Sequence, residues 1–263
     1  MEIKYLEINF YSIIYCCIVG GILVFRWPDN FRMALSLTFD DGLSSQLNIA
    51  IPLLDKYGFK GTFYLNPRDR EMLRRWREVS ERGHEIGNHT LTHPCSCNFS
   101  GDPHGRCLEN MTLEDIRRDI VEAHRRIREA IPNGSRTFAY PCYETYVGRG
   151  LNRKSYVPIV AEIFIAARNG FRYPNSPEAC DLHFLWSWEI SKIGFEKMIG
   201  YIVRTFMEGK WAIFTFHGID EGHLSTSKYD FERLLIFLDK YREKIWIAPL
   251  VDVAEYIAEK RGY

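Results

Sequence analysis

The sequence predicts an α/β protein built on a mainly parallel β-sheet, either open or closed into a barrel. From Met33 onward, short segments rich in β-branched and apolar residues alternate with longer segments of helical periodicity. Such alternation is typical of parallel sheets covered by helices. No linker, repeat or low-complexity run divides residues 33–263, so we expect one domain there. Asp or His residues follow several of the predicted strands, and in such folds reactive side chains gather at the carboxyl ends of the strands.

In the first half of the chain, residues suited to begin or end helices lie at the ends of the segments with helical periodicity. Gly58 and Gly83 are suited to end two helices, and Asp115 lies three residues after Thr112 as a capping partner for a third. We predict, in order, a strand at 33–39, a helix at 46–57, a strand at 61–65, a helix at 69–82, a strand end at 85–89, a polar loop at 98–110 and a helix at 112–130.

The second half continues the alternation, with one strongly apolar strand that ends at His217. The predicted elements are a strand at 137–140, helices at 159–168 and 195–208, a strand at 211–216, and three further segments at 229–241, 245–247 and 250–260.

Composition excludes some classes of partner. The chain has 263 residues, of which 46% are hydrophobic and 26% charged, and this describes an ordinary folded protein. Lys+Arg and Asp+Glu both number 34, so the chain has no excess of positive charge that would favour binding of nucleic acid. The oligomeric state is not indicated by the sequence.

The N-terminus is apolar and ambiguous. Residues 8–25 carry no charge over 18 positions, which is the lower limit for a membrane span. The preceding residues include Glu2, Lys4 and Glu7 and so carry no net positive charge, and no signal-peptidase site follows. We therefore divide the chain into a hydrophobic segment, 1–26, and a catalytic domain, 27–263. The segment is either a membrane anchor or an accessory stretch, which leaves membrane-anchored and cytoplasmic locations open.

The seven cysteines do not form a recognisable framework. Their number is odd and their spacing irregular, so disulfides are not expected. Free thiols in a long loop are the favoured interpretation. The alternative is a structural zinc site from Cys95, Cys97, His104 and Cys107, although this spacing matches no zinc module.

Two short stretches carry the candidate chemistry. "TFDDG" places two adjacent carboxylates, Asp40 and Asp41, after a strand, and a cation there would screen their repulsion. "HTLTH" places His89 and His93 four residues apart. Two imidazoles and one carboxylate leave a fourth metal position for water, while the second carboxylate can act as a base.

Together these stretches resemble the first two motifs of the NodB-type polysaccharide deacetylases, carbohydrate esterase family 4. "FTFHG" around His217 resembles the last motif of that family. The resemblance implies a distorted (β/α) barrel of about seven parallel strands. It also implies removal of an acyl group, most simply N-acetyl, from a carbohydrate. O-acetyl ester hydrolysis and hydrolysis of a small amide such as a formamide are alternatives, and an inactive glycan-binding barrel is a rival interpretation.

The resemblance also assigns roles by position. Asp40 would be the general base and His217 the general acid. Asp41, His89 and His93 would bind a divalent ion, zinc first, with cobalt or nickel as alternatives.

Later motifs depart from the family pattern. In "FAYPCY", Ala139 stands at the position of an arginine that orients the base, and Cys142 at that of a tyrosine. We expect Arg168, or else Arg172, to supply the missing charge. A backbone N–H near Cys142 or Tyr143 is the expected oxyanion donor. "LWSWEI" brings Trp186 and Trp188 to the place of a fourth motif, where we expect substrate contacts.

Overall fold

Parallel strands form a closed barrel at the centre of the computed structural model, which describes residues 25–101 and 104–262. The strands of the described chain are β1 Met33–Phe39, β2 Thr62–Leu65, β3 Glu85–Asn88, β4 Thr137–Ala139, β5 Tyr146–Val147, β6 Lys154–Ser155, β7 Ala166–Phe171, β8 Leu185–Glu189, β9 Trp211–Phe216, β10 Gly218–Ile219, β11 Ser225–Thr226 and β12 Ile245–Ile247.

Helices surround the barrel and connect its strands. They are α1 Ile51–Lys56, α2 Arg70–Glu81, α3 Cys97–Ser100, α4 Leu113–Ala130, α5 Val157–Ile163, α6 Phe195–Glu208, α7 Lys228–Lys240 and α8 Leu250–Arg261, and a π-helical segment, Gln46–Ala50, leads into α1. Short 3-10 turns lie at Pro28–Asn30, Leu108–Asn110, Pro141–Tyr143 and Gly150–Asn152.

The barrel has seven parallel strands in the order β1-β2-β3-β4-β7-β8-β9, and β9 pairs back onto β1. β12 adds an eighth strand on one side of β1, where it pairs with Met33–Leu35, while β2 pairs with β1 higher up, at Thr38 and Phe39. The predicted barrel of about seven strands is therefore confirmed. It is distorted because one side of β1 is shared between β12 and β2.

Side chains along β1 alternate between two hydrophobic clusters. On β1, Leu35 and Leu37 point outward and belong to the large cluster that packs beneath the helices, whereas Ala34 belongs to a smaller cluster that includes Trp211. Ser36 accepts a hydrogen bond from the Trp211 indole at 3.1 Å, which places it inside the barrel. Inward residues become polar toward the carboxyl ends of the strands, and this is where the candidate site lies.

Most predicted elements are found within a residue or two, but the helix at 159–168 is wrong. Helix α5 ends at Ile163, and Ala166–Phe171 forms strand β7. Alanine pairs favour helices in isolation, so burial between two neighbouring strands decides this segment rather than propensity. Strand β8 was not predicted, although its "LWSWE" sequence alternates in and out of the barrel.

Most of the apolar stretch 8–25, expected to be either a membrane anchor or an accessory segment, lies outside the described residues. Phe25, its last residue, packs edge-on against Trp27 and Tyr256. Within the described ranges, no helix combines the length and the apolar character that crossing a bilayer requires.

Candidate active site and metal centre

The two aspartates are directed apart by a tight turn after β1. Asp41 and Gly42 both adopt left-handed backbone conformations, with φ of 72° and 64°. Glycine is favoured at position 42 because of this positive φ, and a side chain there would also require the Met72 methyl group, 2.7 Å away, to move. Gln46 fixes the turn, because its amide donates to the Asp40 carbonyl at 2.5 Å and to the His217 carbonyl at 3.1 Å.

The loop that carries the second histidine is held by a buried carboxylate. Thr90 and His93 have φ of 62° and 53°, so the loop is a tight, non-helical turn. Asp119, on α4 and 2% exposed, accepts hydrogen bonds from the amides of Leu91 and Thr92 at 2.9 and 3.1 Å and from the Thr92 hydroxyl at 2.8 Å. The orientation of the His93 imidazole therefore depends on Asp119, which holds this loop from helix α4.

Asp41, His89 and His93 are brought together as a possible ligand set, with ligand atoms all within 4.8 Å of one another. Asp41 Oδ1 lies 3.7 Å from His89 Nε2 and 3.5 Å from His93 Nε2. The Ala139 carbonyl accepts a hydrogen bond from His89 Nδ1 at 2.8 Å, which leaves Nε2 facing the cluster. Burial lowers the pKa of His89 to about 4, so the imidazole is neutral, as a metal ligand must be.

Asp40 is buried and pairs with a guanidinium. Its Oδ1 accepts a hydrogen bond from Arg168 Nη2, and its Oδ2 lies 3.9 Å from His89 Nε2 and 4.0 Å from His217 Nε2. Burial by itself raises the pKa of Asp40, but the charge of the Arg168 guanidinium is the largest opposing influence, and the pKa lies below its ordinary value. Asp40 is therefore ionised at neutral pH.

Arg168 approaches from the strand next to the one that carries Ala139. The two residues are direct partners in the pairing of β4 with β7, so the guanidinium enters the site at the height of the alanine. Arg168 is fully buried and lies over the rings of Tyr64 and Tyr143, 5.2 and 5.9 Å from their centroids. Arg172, the second candidate, lies on the surface.

The two tryptophans of "LWSWEI" point away from the barrel interior. Ser187, between them, faces inward and accepts a hydrogen bond from Thr215 at 2.9 Å. Trp188 is 2% exposed and stacks on Tyr201, which makes it a residue of the outer core. Trp186 is partly exposed on the outer surface. The alternation of β8, a strand that was not predicted, thus directs both tryptophans away from Asp40 and the ligand set.

The expectation of free thiols is wrong for four of the seven cysteines. Disulfides join Cys95 to Cys142 and Cys97 to Cys107. Cys95 and Cys142 are 47 residues apart in the sequence, so spacing carries no sign of their pairing. The alternative zinc site is excluded in this state, because its cysteine sulfurs are all bonded to other sulfurs.

Two residues that position the site escaped sequence reasoning. Gln46 gives no distinctive sequence signal. Asp119 does, because it lies on the apolar stripe of α4 beside Ile116 and Ile120, where a carboxylate is out of place. The Nδ1 atom of His217 is buried and has no hydrogen-bond partner among the described residues.

Comparison with known proteins agrees with this geometry. Residues 30–148 match the family model "Polysaccharide deacetylase". A gellan lyase from a Bacillus species is 24% identical over 267 residues, which is 92% of this chain and 10% of the relative. A chitooligosaccharide deacetylase from Sinorhizobium fredii is 35% identical over 103 residues, 38% of this chain and 41% of the relative. The chain thus spans less than half of the length of either relative.

Solved structures share the fold over most of the chain. Puue allantoinase aligns with a TM-score of 0.67 and 15% identity, covering 93% of this chain and 96% of the other. A family 4 acetyl xylan esterase from Clostridium thermocellum, in complex with a cobalt ion, gives 0.55 and 20%, covering 85% and 91%. A CE4 family pseudoenzyme from Bacillus anthracis gives 0.55 and 17%, covering 86% and 66%. At these identities the likeness is one of fold.

Proposed function

We propose that the chain is a divergent member of the polysaccharide deacetylase family, whose model matches residues 30–148, and that it is a metal-dependent hydrolase that removes an acyl group, most simply N-acetyl, from a carbohydrate. One observation carries the proposal. A three-residue ligand set, a buried ionised carboxylate and a histidine meet at the carboxyl ends of the strands, where barrel enzymes place their chemistry.

The donor set suits a divalent ion. Asp41, His89 and His93 offer one carboxylate oxygen and two neutral imidazole nitrogens, which matches a catalytic zinc site with a fourth position for water. Cobalt or nickel would fit the same donors. The hydrogen bond from His89 Nδ1 to the Ala139 carbonyl is the kind of contact that orients a metal-binding histidine. A bound ion would make its water more acidic and polarise the acyl carbonyl.

Asp40 is the proposed general base. Its Oδ1 is occupied by Arg168, so Oδ2, which faces His89 and His217, is free to take the proton of the attacking water. The guanidinium fixes the plane of the carboxylate and keeps it ionised. In this proposal Arg168 is a positioning residue.

His217 is the proposed general acid. Its Nε2 lies on the same side of the site as Asp40 Oδ2, at 4.0 Å, so a leaving nitrogen held between them would receive a proton from the imidazole. The developing negative charge on the acyl oxygen needs a donor. The amide of Cys142 is the proposed donor, since the neighbouring amides of Tyr143 and Glu144 are already bonded to backbone carbonyls within their turn.

The proposed substrate is an N-acetylated oligosaccharide. Support comes from the names of two curated relatives, a chitin deacetylase and a chitooligosaccharide deacetylase, which match 35% and 38% of this chain. These matches cover only part of either protein, so the substrate is a proposal in its own right.

Purified protein loaded with zinc tests the proposal. We expect release of acetate from N-acetylated chitooligosaccharides, loss of that release on chelation, and recovery with zinc or cobalt. Asp40→Asn is the control that retains metal but lacks the base. Parallel assays on acetylated xylan and on a small formamide separate the ester and small-amide alternatives. A wild-type protein that binds metal and hydrolyses none of these substrates would contradict the proposal and favour an inactive glycan-binding barrel.

A further inference from the structure

The Cys95–Cys142 disulfide joins the two loops that form the candidate site. Cys95 follows the proposed ligand His93 by two residues. Cys142 lies in the turn after β4, three residues beyond Ala139, whose carbonyl holds His89. The bond therefore connects the backbones that position both histidines of the ligand set.

The disulfide also contacts one of these histidines. Cys95 Sγ lies 3.6 Å from His93 Nδ1, on the opposite side of the ring from Nε2. A metal-binding histidine is usually oriented through its second nitrogen. The Ala139 carbonyl serves this purpose for His89, whereas the group beside His93 Nδ1 is the Cys95 sulfur, which is a weak hydrogen-bond partner. The orientation of His93 thus depends on where the sulfur is held.

At its other end the bond holds an unusual backbone. Cys142 has φ of 51° and ψ of 18°, a left-handed conformation that is unfavourable for a residue other than glycine. Its amide donates to no backbone carbonyl among the described residues, so it is available to a substrate oxygen. A crosslink at this residue restricts the direction in which the amide points.

We infer that the Cys95–Cys142 disulfide is a positioning element of the reaction, which holds His93 and the Cys142 amide together, so that full activity requires this cysteine pair to be oxidised. The inference rests on the proposed function for its kinetic part. Its metal-binding part stands separately, because loss of the bond should also weaken zinc binding through His93.

The second disulfide provides a matched control. Cys97–Cys107 lies in the same loop but closes only 10 residues and does not reach the turn after β4. The test compares Cys95→Ser/Cys142→Ser with Cys97→Ser/Cys107→Ser. Reduction of the Cys97→Ser/Cys107→Ser protein by a water-soluble phosphine then opens the remaining pair. In that step the phosphine gives two electrons to the disulfide, takes the oxygen of one water, and leaves the two protons on the sulfurs.

We expect the Cys95→Ser/Cys142→Ser protein to lose about tenfold to a hundredfold in kcat and at least about tenfold in zinc affinity, with KM changed by less than about threefold. The Cys97→Ser/Cys107→Ser protein should stay within about threefold of wild type until it is reduced, and should then show the same losses. Each single serine variant should match the double variant, because either one removes the same bond. Zinc affinity is measured by competition with a chromophoric chelator.

Unchanged zinc affinity and kcat in folded Cys95→Ser/Cys142→Ser would overturn the inference. Unfolding of that variant and of the reduced control, seen by circular dichroism, would overturn it too, since the bond would then be a general structural one. If wild type binds zinc but releases no acetate, the proposed function fails, and the zinc competition alone still decides whether the bond positions His93.

Discussion

Replacing Arg168 by methionine is the sharpest perturbation of the proposed site. Methionine has a similar length and fills the space beside Tyr64 and Tyr143, so the change removes a charge with little loss of packing. Asp40 would then be a carboxylate that is 2% exposed, with no guanidinium beside it.

The expected magnitude follows from this burial. Removing one partner of a buried ion pair lowers the free energy of unfolding by about 3–5 kcal/mol, because the other charge is left uncompensated. The carboxylate would also lose the contact that orients it, and we expect kcat to fall by about 10- to 1000-fold while the metal stays bound.

The pH dependence has a defined sign. In the wild type, burial acts to raise the pKa of Asp40, but the Arg168 guanidinium is the largest opposing influence, and the pKa lies below its ordinary value of 3.8. A depressed carboxyl pKa stabilises the fold above the unfolded-state value, and this contribution is lost as pH falls through the folded-state value. Without Arg168, burial prevails and the pKa rises. The acid limb of the kcat/KM profile should therefore move to higher pH.

The assay combines kinetics with a double-mutant cycle. Acetate release is followed across pH, and urea unfolding is measured for Arg168→Met, Asp40→Asn and the double variant. The double variant should recover at least about 1 kcal/mol relative to the sum of the single changes. Arg172→Met is the matched control, since Arg172 lies four residues beyond Arg168, just past the end of β7, and is exposed on the surface. An Arg168→Met protein with wild-type kcat and an unmoved acid limb would refute the assigned role.

Five other substitutions separate the remaining roles. His93→Ala should lose zinc by elemental analysis, because three protein ligands leave no redundancy, and full occupancy would contradict the ligand set. Asp40→Asn should keep zinc and lose about 10²- to 10⁴-fold in kcat, whereas Asp41→Asn should weaken zinc binding; exchanged metal contents would reverse these roles. Asp119→Ala should cost about 2–4 kcal/mol in urea unfolding and slow turnover, and a change below about 0.5 kcal/mol would argue against its hold on the loop. Burial raises the pKa of Glu85 to about 6 from 4.5, so stability present below pH 4.5 declines by about 2 kcal/mol as pH rises through 6; Glu85→Gln should remove this slope, and an unchanged slope would assign it to another group.

Sequence reasoning succeeded where local signals and burial agree. Helix α4 shows the predicted Thr112–Asp115 capping box and begins and ends where its periodicity indicates. Asp40 and His217 follow apolar strands, and parallel strands bring their ends together regardless of the distance between them in sequence.

It failed where the determinant is a distant partner. Strand β7 has the local composition of a helix and is defined by its neighbours β4 and β8. The Cys95–Cys142 bond joins loops that only the closed barrel brings together. The outward direction of Trp186 depends on the register of a strand that had not been recognised.

The pairing of Ala139 with Arg168 bears on how such barrels change during evolution. A ring of inward side chains at one height is contributed by strands that are far apart in the chain. A guanidinium lost from one strand can therefore be regained on the adjacent strand without altering what the carboxylate experiences. A protein with this exchange lacks the arginine of the motif and carries an arginine at a position outside any motif. A comparison of sequence motifs alone would class such a protein as degenerate. A comparison of the inward-facing side chains at the same height of the barrel would find the arginine on the adjacent strand.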